Sequence, residues 1–401
     1  MPQKNSMLRS ERAGIFRFGR EMTSALVMAF VFIVYVIQAF KIPSASMEKS
    51  LLTGDFLLGL KFLYGSPVVP FSYAKFPHFV DPRPGDVVIF EYPGNDFEIG
   101  NNDFQNKDFI KRCVAGPGQV VASRGTRLFV DGKEFVLPPR GQYARNGELD
   151  HPGITAFAPL RIPKKGDTII VDSLGVREFF FLRNLIEQEN AGNRFAKFME
   201  GTLKPFLRNM PVIQNIFAIR PRGNPALAQS FPRVTMDFPV YIDGKETDTA
   251  TVMASDFFGQ ARAFSLPLYK RRLFSSLNDS RLDSWIWLEM QLDVLVGQLR
   301  ERNPGKNITI GKELYLKGKR IKAYVVKNDN YFMMGDNRDD SMDSRYWGYL
   351  NRNFVKAKAF ILYFSLDNDI SWWALPFKIR WNRIGKLISS WNGLEPPRYY
   401  K

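Results

Sequence analysis

Apolar positions follow three rhythms along the chain. The first is a continuous run from Met22 to Phe40, nineteen residues without a charged side chain. At about 1.5 Å per residue a helix of that length crosses the hydrocarbon core of a bilayer once. The second rhythm is a set of short β-branched and aromatic stretches punctuated by Pro and Gly: 56–65, Val87–Tyr92 before Pro93, Asp108–Ala115 before Gly116-Pro117-Gly118, and Phe354–Ser365. These predict strands. Asp-Gly pairs predict hairpins at 128–135 and 240–246, Pro163–Asp172 reads as turn then strand, and Gly311–Val326 as another hairpin. The third rhythm is helical. Trp285, Leu288, Leu292, Leu295 and Leu299 recur at 3,4 spacing after Ser280 and Asp283, which suit a capping start, and Asn303-Pro304-Gly305 stops the pattern. Phe179–Met199 is the other helical stretch. The 285–299 stripe is expected to pack on the sheet of its own inserted segment, with a partner-binding or membrane-lying helix as the alternative.

The result is a mostly β chain with one N-terminal transmembrane helix. Composition marks off a basic tail (1–21), the spanning helix (22–40) and a basic, Trp-rich C-terminal tail (371–401).

Charge places the chain. It has 401 residues, 56 Lys and Arg against 40 Asp and Glu, and a formal charge of +16, which favours anionic surroundings. Membrane fits better than nucleic acid, because the basic residues are scattered and no nucleic-acid module is legible. Lys4, Arg9, Arg12, Arg17 and Arg20 precede the apolar run and only Lys41 follows it closely, so the positive-inside rule keeps the N-terminus in the cytoplasm and everything after Phe40 outside. A cleavable signal peptide is the competing reading, but both its total length and its apolar region would be overlong. In the C-terminal tail, Trp372, Trp373, Phe377, Trp381 and Trp391 alternate with Lys378, Arg380, Arg383 and Lys386, a pattern that fits interfacial rings beside anionic lipid as well as it fits core packing.

Candidate chemistry begins where the apolar run ends. Ser44 and Ser46 stand one residue apart in Pro43-Ser44-Ala45-Ser46-Met47. A serine hydroxyl needs a base to attack, and the two histidines, His78 and His151, have no catalytic context. Lysine is the base to seek. In the strand Asp108–Ala115, alternation puts Lys111 on a face with Cys113 and Ala115, where shielding from water disfavours its charged form. A solvated edge lysine is the blander alternative. Cys113, the single cysteine, reads as a packing residue and excludes an intrachain disulfide. The acidic run Asp336–Asp343 lacks the sixth-position glycine and terminal glutamate of a calcium loop.

Four blocks, PSASM at 43–47, RPGDVVIFEYP at 83–93, DFIKRCVAGPG at 108–118 and GDNRDDSMDSRYWG at 335–348, stand in this order behind the apolar run. Together the set resembles bacterial type I signal peptidase. The resemblance implies an antiparallel-sheet core of the signal-peptidase type in two parts (41–123 and 325–370), interrupted by a large α+β region, an inserted β-rich domain with helices (124–324). It implies that this core lies on the outer face of the cytoplasmic membrane and cleaves signal peptides from exported preproteins after small residues, with no metal or organic cofactor. It implies that Ser46 is the nucleophile and Lys111 its base. Ser44 and the Ser46 N–H would form the oxyanion hole, and Ser341 would hydrogen-bond the Lys111 amine. Asp336 with Arg338, and Asp343 with Arg345, would brace the loop. Phe40, Ile42, Pro43, Leu51 and Ile110 would line the apolar pockets, and the substrate would add as a strand beside 87–93 or 108–112. Partners would be preproteins, phospholipid and, as a candidate, the secretion translocon, with no nucleic acid. Lys49-Ser50 stand where members often carry Pro-Thr. A catalytically silent relative that binds preproteins or lipid has the same composition and is the alternative function. Self-cleaving repressors with a Ser/Lys pair lack the anchor and carry a DNA-reading helix.

Overall fold

A computed structural model describes residues 2–68, 75–93, 108–143, 152–190, 234–247 and 285–388. Its centre is a curled sheet of seven strands: β1 (Ile37–Lys41), β2 (Asp55–Leu60), β3 (Val87–Glu91), β4 (Asp108–Ala115), β5 (Asn330–Met334), β6 (Leu350–Asn351) and β7 (Val355–Ser365). They lie antiparallel in the order β1-β2-β7-β3-β4-β5-β6. The long β7 shifts register against β2 between Ala359 and Ile361 and again between Leu362 and Phe364, irregularities that bend a strand and curl its sheet. Residues distant in sequence, 41–60 and 355–365, thereby become neighbours.

Alternation along β3 sorts the core. Val87 and Ile89 face a cluster with Phe40, Ile42, Met47, Leu51, Leu57 and Ile110, while Val88 and Phe90 face Tyr64, Cys113, Met333, Trp347 and Phe354. Of the two alternative edges expected for a substrate, β3 is already flanked by β7 and β4. β5 pairs with β4 at Arg112, Cys113 and Ala115, leaving the edge of 108–111 unpaired by β5.

The N-terminal helix α1 (Pro2–Tyr35) ends five residues before the expected Phe40. Ile37–Lys41 instead pairs with β2, from Ile37 opposite Leu60 to Lys41 opposite Phe56. An uninterrupted apolar run cannot by itself distinguish the end of a helix from the start of a buried strand. The part from Arg17 to Tyr35 is still long and apolar enough to cross a membrane, and its last residue meets the fold: the Tyr35 carbonyl accepts from Ser66 Oγ and its ring lies edge-on to Phe76.

The segment between the two halves of the sheet carries the predicted hairpins. Asp131-Gly132, Asp243-Gly244 and Lys317-Gly318 all have positive φ at both turn positions, the geometry of a two-residue turn matched to strand twist. Among its described residues the two long helices are α2 (Val176–Asn190) and α3 (Trp285–Arg302); Ser280, Asp283 and the 191–199 end of the expected first helix lie outside the described residues. Phe179, Phe181, Leu185 and Trp285 share one core with Val114 and Ala115 of β4 and Phe332 and Met334 of β5. The expected packing of α3 on its own sheet holds at one end, where Leu299 meets Val240 and Ile308. At the other end Trp285 turns to the main core, because a large indole finds more apolar surface there.

In the C-terminal segment the rings and the cations separate. Trp373 is 99% exposed and Phe377 79%. Lys378 is buried, bonded to the Ile370 carbonyl and set against the Trp372 ring. Arg380 pairs with Asp367 and Arg383 with buried Asp55. Trp391 lies outside the described residues.

Candidate active site

Ser46 sits in a single 3-10 turn, Ala45–Met47, between β1 and β2. Met47 anchors the turn in the core, and the Leu51 N–H closes on the Met47 carbonyl at 2.7 Å. Asn337 grips the turn from the opposite loop: its N–H donates to the Ser46 carbonyl at 3.1 Å and its side-chain amide to the Ala45 carbonyl at 3.2 Å. Lys49, in the place of the expected proline, has φ 67.

Lys111 projects from β4 to this turn, its Nζ 2.5 Å from Ser46 Oγ. The side chain is 3% exposed and lies against the Phe109 ring. Burial, with Arg345 adding to it and Asp343, Asp336 and Asp340 opposing, brings its pKa down to about 8. Among residues without histidine partners this is the physical requirement for a base near neutral pH: a substantial neutral fraction within reach of the hydroxyl. Ser44 is exposed at the rim, its Oγ 3.5 Å from Ser46 Oγ.

The loop beneath the pair is built from buried charges. Asp343 takes two bonds from the Arg345 guanidinium, at 2.8 and 3.0 Å, and accepts the backbone N–H of Arg345 at 3.2 Å and of Gly335 at 3.1 Å. Burial pushes the Asp343 carboxyl up, but Arg345, the Gly335 N–H and Ser341 together hold it below its ordinary value. Asp336 differs from expectation. Its partner is Arg112, next to Lys111, rather than Arg338. Burial raises the Asp336 carboxyl too, and the Arg112 charge and hydrogen bonds more than reverse it. The reason is directional: Arg112 and Asp336 reach each other across β4 and β5, whereas the Arg338 guanidinium runs along Met334 toward the Tyr143 ring. Ser341 also departs from expectation. It is buried, but its Oγ makes no hydrogen bond to Lys111.

Gly335 explains how tightly the two loops meet. A Cβ there would lie 2.3 Å from Ser341 Oγ and 2.4 Å from the Ser46 carbonyl oxygen. Of the five apolar positions singled out, Phe40, Ile42, Leu51 and Ile110 join in one cluster beside the turn, and Pro43 lies exposed at its edge. Cys113 lies in the cluster with Val88, Phe90 and Trp347, where burial and then Asp86 push its thiol pKa up, away from thiolate reactivity. Arg112, Gly335 and Asn337 were not singled out in sequence, although each stands inside a quoted block. Their roles arise from contacts between segments more than 200 residues apart (from 112 to 336, for example), which local pattern does not reveal.

A hydroxyl held against a buried amine of lowered basicity is the arrangement of a nucleophilic hydrolase. Family comparison agrees with that class. The family model described as signal peptidase, peptidase S26, matches residues 15–173 and 233–364, and the chain belongs to that family. It is accordingly a hydrolase of the signal peptidase type. Among similar proteins, Signal peptidase I of Buchnera aphidicola subsp. Schizaphis graminum is 24% identical over 386 residues, covering 96% of this chain and 85% of the relative. Signal peptidase I of Aquifex aeolicus is 24% identical, covering 85% and 81%. That of Pseudomonas fluorescens is 34% identical over 120 residues, covering 30% and 39%.

Proposed function

We propose that this chain is a membrane-bound endopeptidase that removes signal peptides from exported preproteins after small residues, with Ser46 as nucleophile and Lys111 as general base. The observation that carries the reading is the 2.5 Å approach of Lys111 Nζ to Ser46 Oγ at an amine whose basicity burial has lowered.

Neutral Lys111 accepts the Ser46 proton as the oxygen attacks the scissile carbonyl. The tetrahedral oxyanion is met by the Ser46 N–H and the Ser44 hydroxyl. Protonated Lys111 then gives its proton to the leaving amine, and the mature protein departs. The neutral amine next takes a proton from water, which hydrolyses the ester between Ser46 and the signal peptide. The substrate adds along 108–111 of β4, its main chain giving affinity. Small side chains enter the shallow cluster of Phe40, Ile42, Leu51 and Ile110, with Pro43 at the rim. Asp343 with Arg345, and Asp336 with Arg112, hold the loop behind Lys111, and Arg338 carries its turn.

The basic N-terminus stays in the cytoplasm and the active site faces outward at the bilayer surface. Trp372, Trp373, Phe377 and Trp381 rest at head-group level. Their rings make this contact, since Lys378, Arg380 and Arg383 are engaged internally.

Incubating the detergent-solubilised protein with a preprotein and mapping the cut by mass spectrometry tests this reading. One cut after a small residue is expected, lost in Ser46→Ala. A Ser46→Ala variant that cleaves at the same site would refute it.

A further inference from the structure

We infer that the region inserted between the two halves of the sheet supplies positioning residues for the reaction: Asn184 and Gln188 of α2 and Trp285 of α3 hold the backbone that follows the loop behind Lys111. This rests on the function proposed above. That backbone begins with α4 (Ser344–Trp347), one turn capped by Asp343, and ends abruptly at Gly348 with φ 89. A single turn leaves its carbonyls without helical partners, and here they are buried away from water.

The insertion meets three of them. Trp285 Nε1 donates to the Arg345 carbonyl at 2.8 Å, Asn184 Nδ2 to the Trp347 carbonyl at 3.1 Å, and Gln188 Nε2 to the Tyr349 carbonyl at 2.8 Å. Gln188 Oε1 also accepts the Asn351 N–H at 2.9 Å. Asn184 and Gln188 are four residues apart, hence on one face of α2. All three side chains are buried, so each bond lost would leave a carbonyl with no solvent to replace it. Phe181 completes the fit: a Cβ on Gly348 would meet its ring at 2.6 Å.

The contacts continue to the reacting groups. Arg345, held through its carbonyl by Trp285, grips Asp343, and Asp343 accepts the N–H of Gly335, which is wedged between Ser341 and the Ser46 carbonyl. The charged groups that act most strongly on Lys111 are Asp343, Arg345, Asp336 and Asp340, all on this loop. Loosening the backbone at 345–351 shifts them and admits water to the amine.

Two variants of the full chain test the inference by preprotein processing across pH 6–10. Trp285→Phe keeps the ring and removes the donor; Asn184→Leu with Gln188→Met removes the α2 bonds at similar volume. Each is expected to lower kcat by about 10- to 100-fold, as small misplacements do, with KM unchanged. The acidic limb of kcat/KM is expected to move to higher pH as Lys111 is rehydrated. Folded variants with wild-type kcat overturn the inference, and so does a loss of kcat with an unmoved limb, which would reduce these residues to stability. Should the double variant not fold, Trp285→Phe decides alone. Ser46→Ala run in parallel separates the two readings: if it is inactive and the helix variants behave as wild type, only this inference fails; if it is active, the proposed mechanism fails.

Discussion

The Arg112 guanidinium holds the buried Asp336 carboxylate through two hydrogen bonds, of 2.8 and 2.7 Å, while its third nitrogen donates to the Gly85 carbonyl at 2.7 Å. One residue along the same strand is Lys111. The pair thus fixes β4 against the loop at the point where the amine must be aimed. Arg112→Met leaves a buried carboxylate uncompensated and is expected to destabilise the fold by about 3–5 kcal/mol. Arg338→Met should cost far less, because Nε and one terminal nitrogen of that guanidinium have no hydrogen-bond partner. Urea denaturation of the two variants checks the order; equal losses would contradict it.

The pH dependence follows from the lysine. Its pKa in the fold, about 8, lies below its ordinary 10.5, so the fold disfavours the charged form. Activity should rise through about pH 8, and the Lys111 contribution to stability should likewise improve from there toward pH 10.5. The buried carboxylates behave oppositely. Asp336 and Asp343 are held below 3.8, so their contribution is complete above that value and is lost only as pH falls through their depressed pKa values. They stay ionised at pH 6 and do not generate the limb. A kcat/KM profile from pH 5 to 10 should therefore show a rise near 8 in a protein that remains folded throughout.

Gly335→Ala places a methyl group between two serines whose backbone and side chain cannot both retreat. Processing is expected to fall by about 100-fold or more, through displacement of Ser46. A variant of near-normal activity would show that the loops are not locked at this point.

At position 49 the backbone is left-handed. Lys49→Gly relieves that conformation and should stabilise the fold by about 1 kcal/mol. Lys49→Pro cannot reach φ 67 and is expected to impair both folding and processing. Thermal denaturation of the pair provides the test, and a stabilised proline variant would contradict the turn geometry.

The strands around Val87–Tyr92 and Asp108–Ala115, the Asp-Gly hairpins and the helix from Trp285 were legible because their cues are local: side-chain period, turn residues and stops. The burial of Lys111 was legible for the same reason. What escaped was decided by contacts across the fold. Ile37–Lys41 continues an apolar run without interruption, and only its pairing with β2 makes it a strand. Asp336 has an arginine two residues away and another 224 positions earlier; the family resemblance pairs it with the nearer one, and only the register of β4 and β5 brings it the other. Trp285 belongs to a helical stripe, yet its indole serves a carbonyl on the catalytic loop. The tail's alternating cations and rings read as one surface, whereas Lys378, Arg380 and Arg383 are drawn inward by a carbonyl and two carboxylates and the rings of Trp373 and Phe377 stay outside.

The most direct measurement is a double-mutant cycle on Ser46 and Lys111, comparing single-turnover processing of one preprotein by Ser46→Ala, Lys111→Ala and the double variant, each verified as folded. Groups that act as one unit lose almost everything with the first deletion. The predicted result is two inactive single variants and a double variant no slower than either. Substantial processing by Lys111→Ala, or losses that multiply in the double variant, would contradict proton transfer from Ser46 to Lys111.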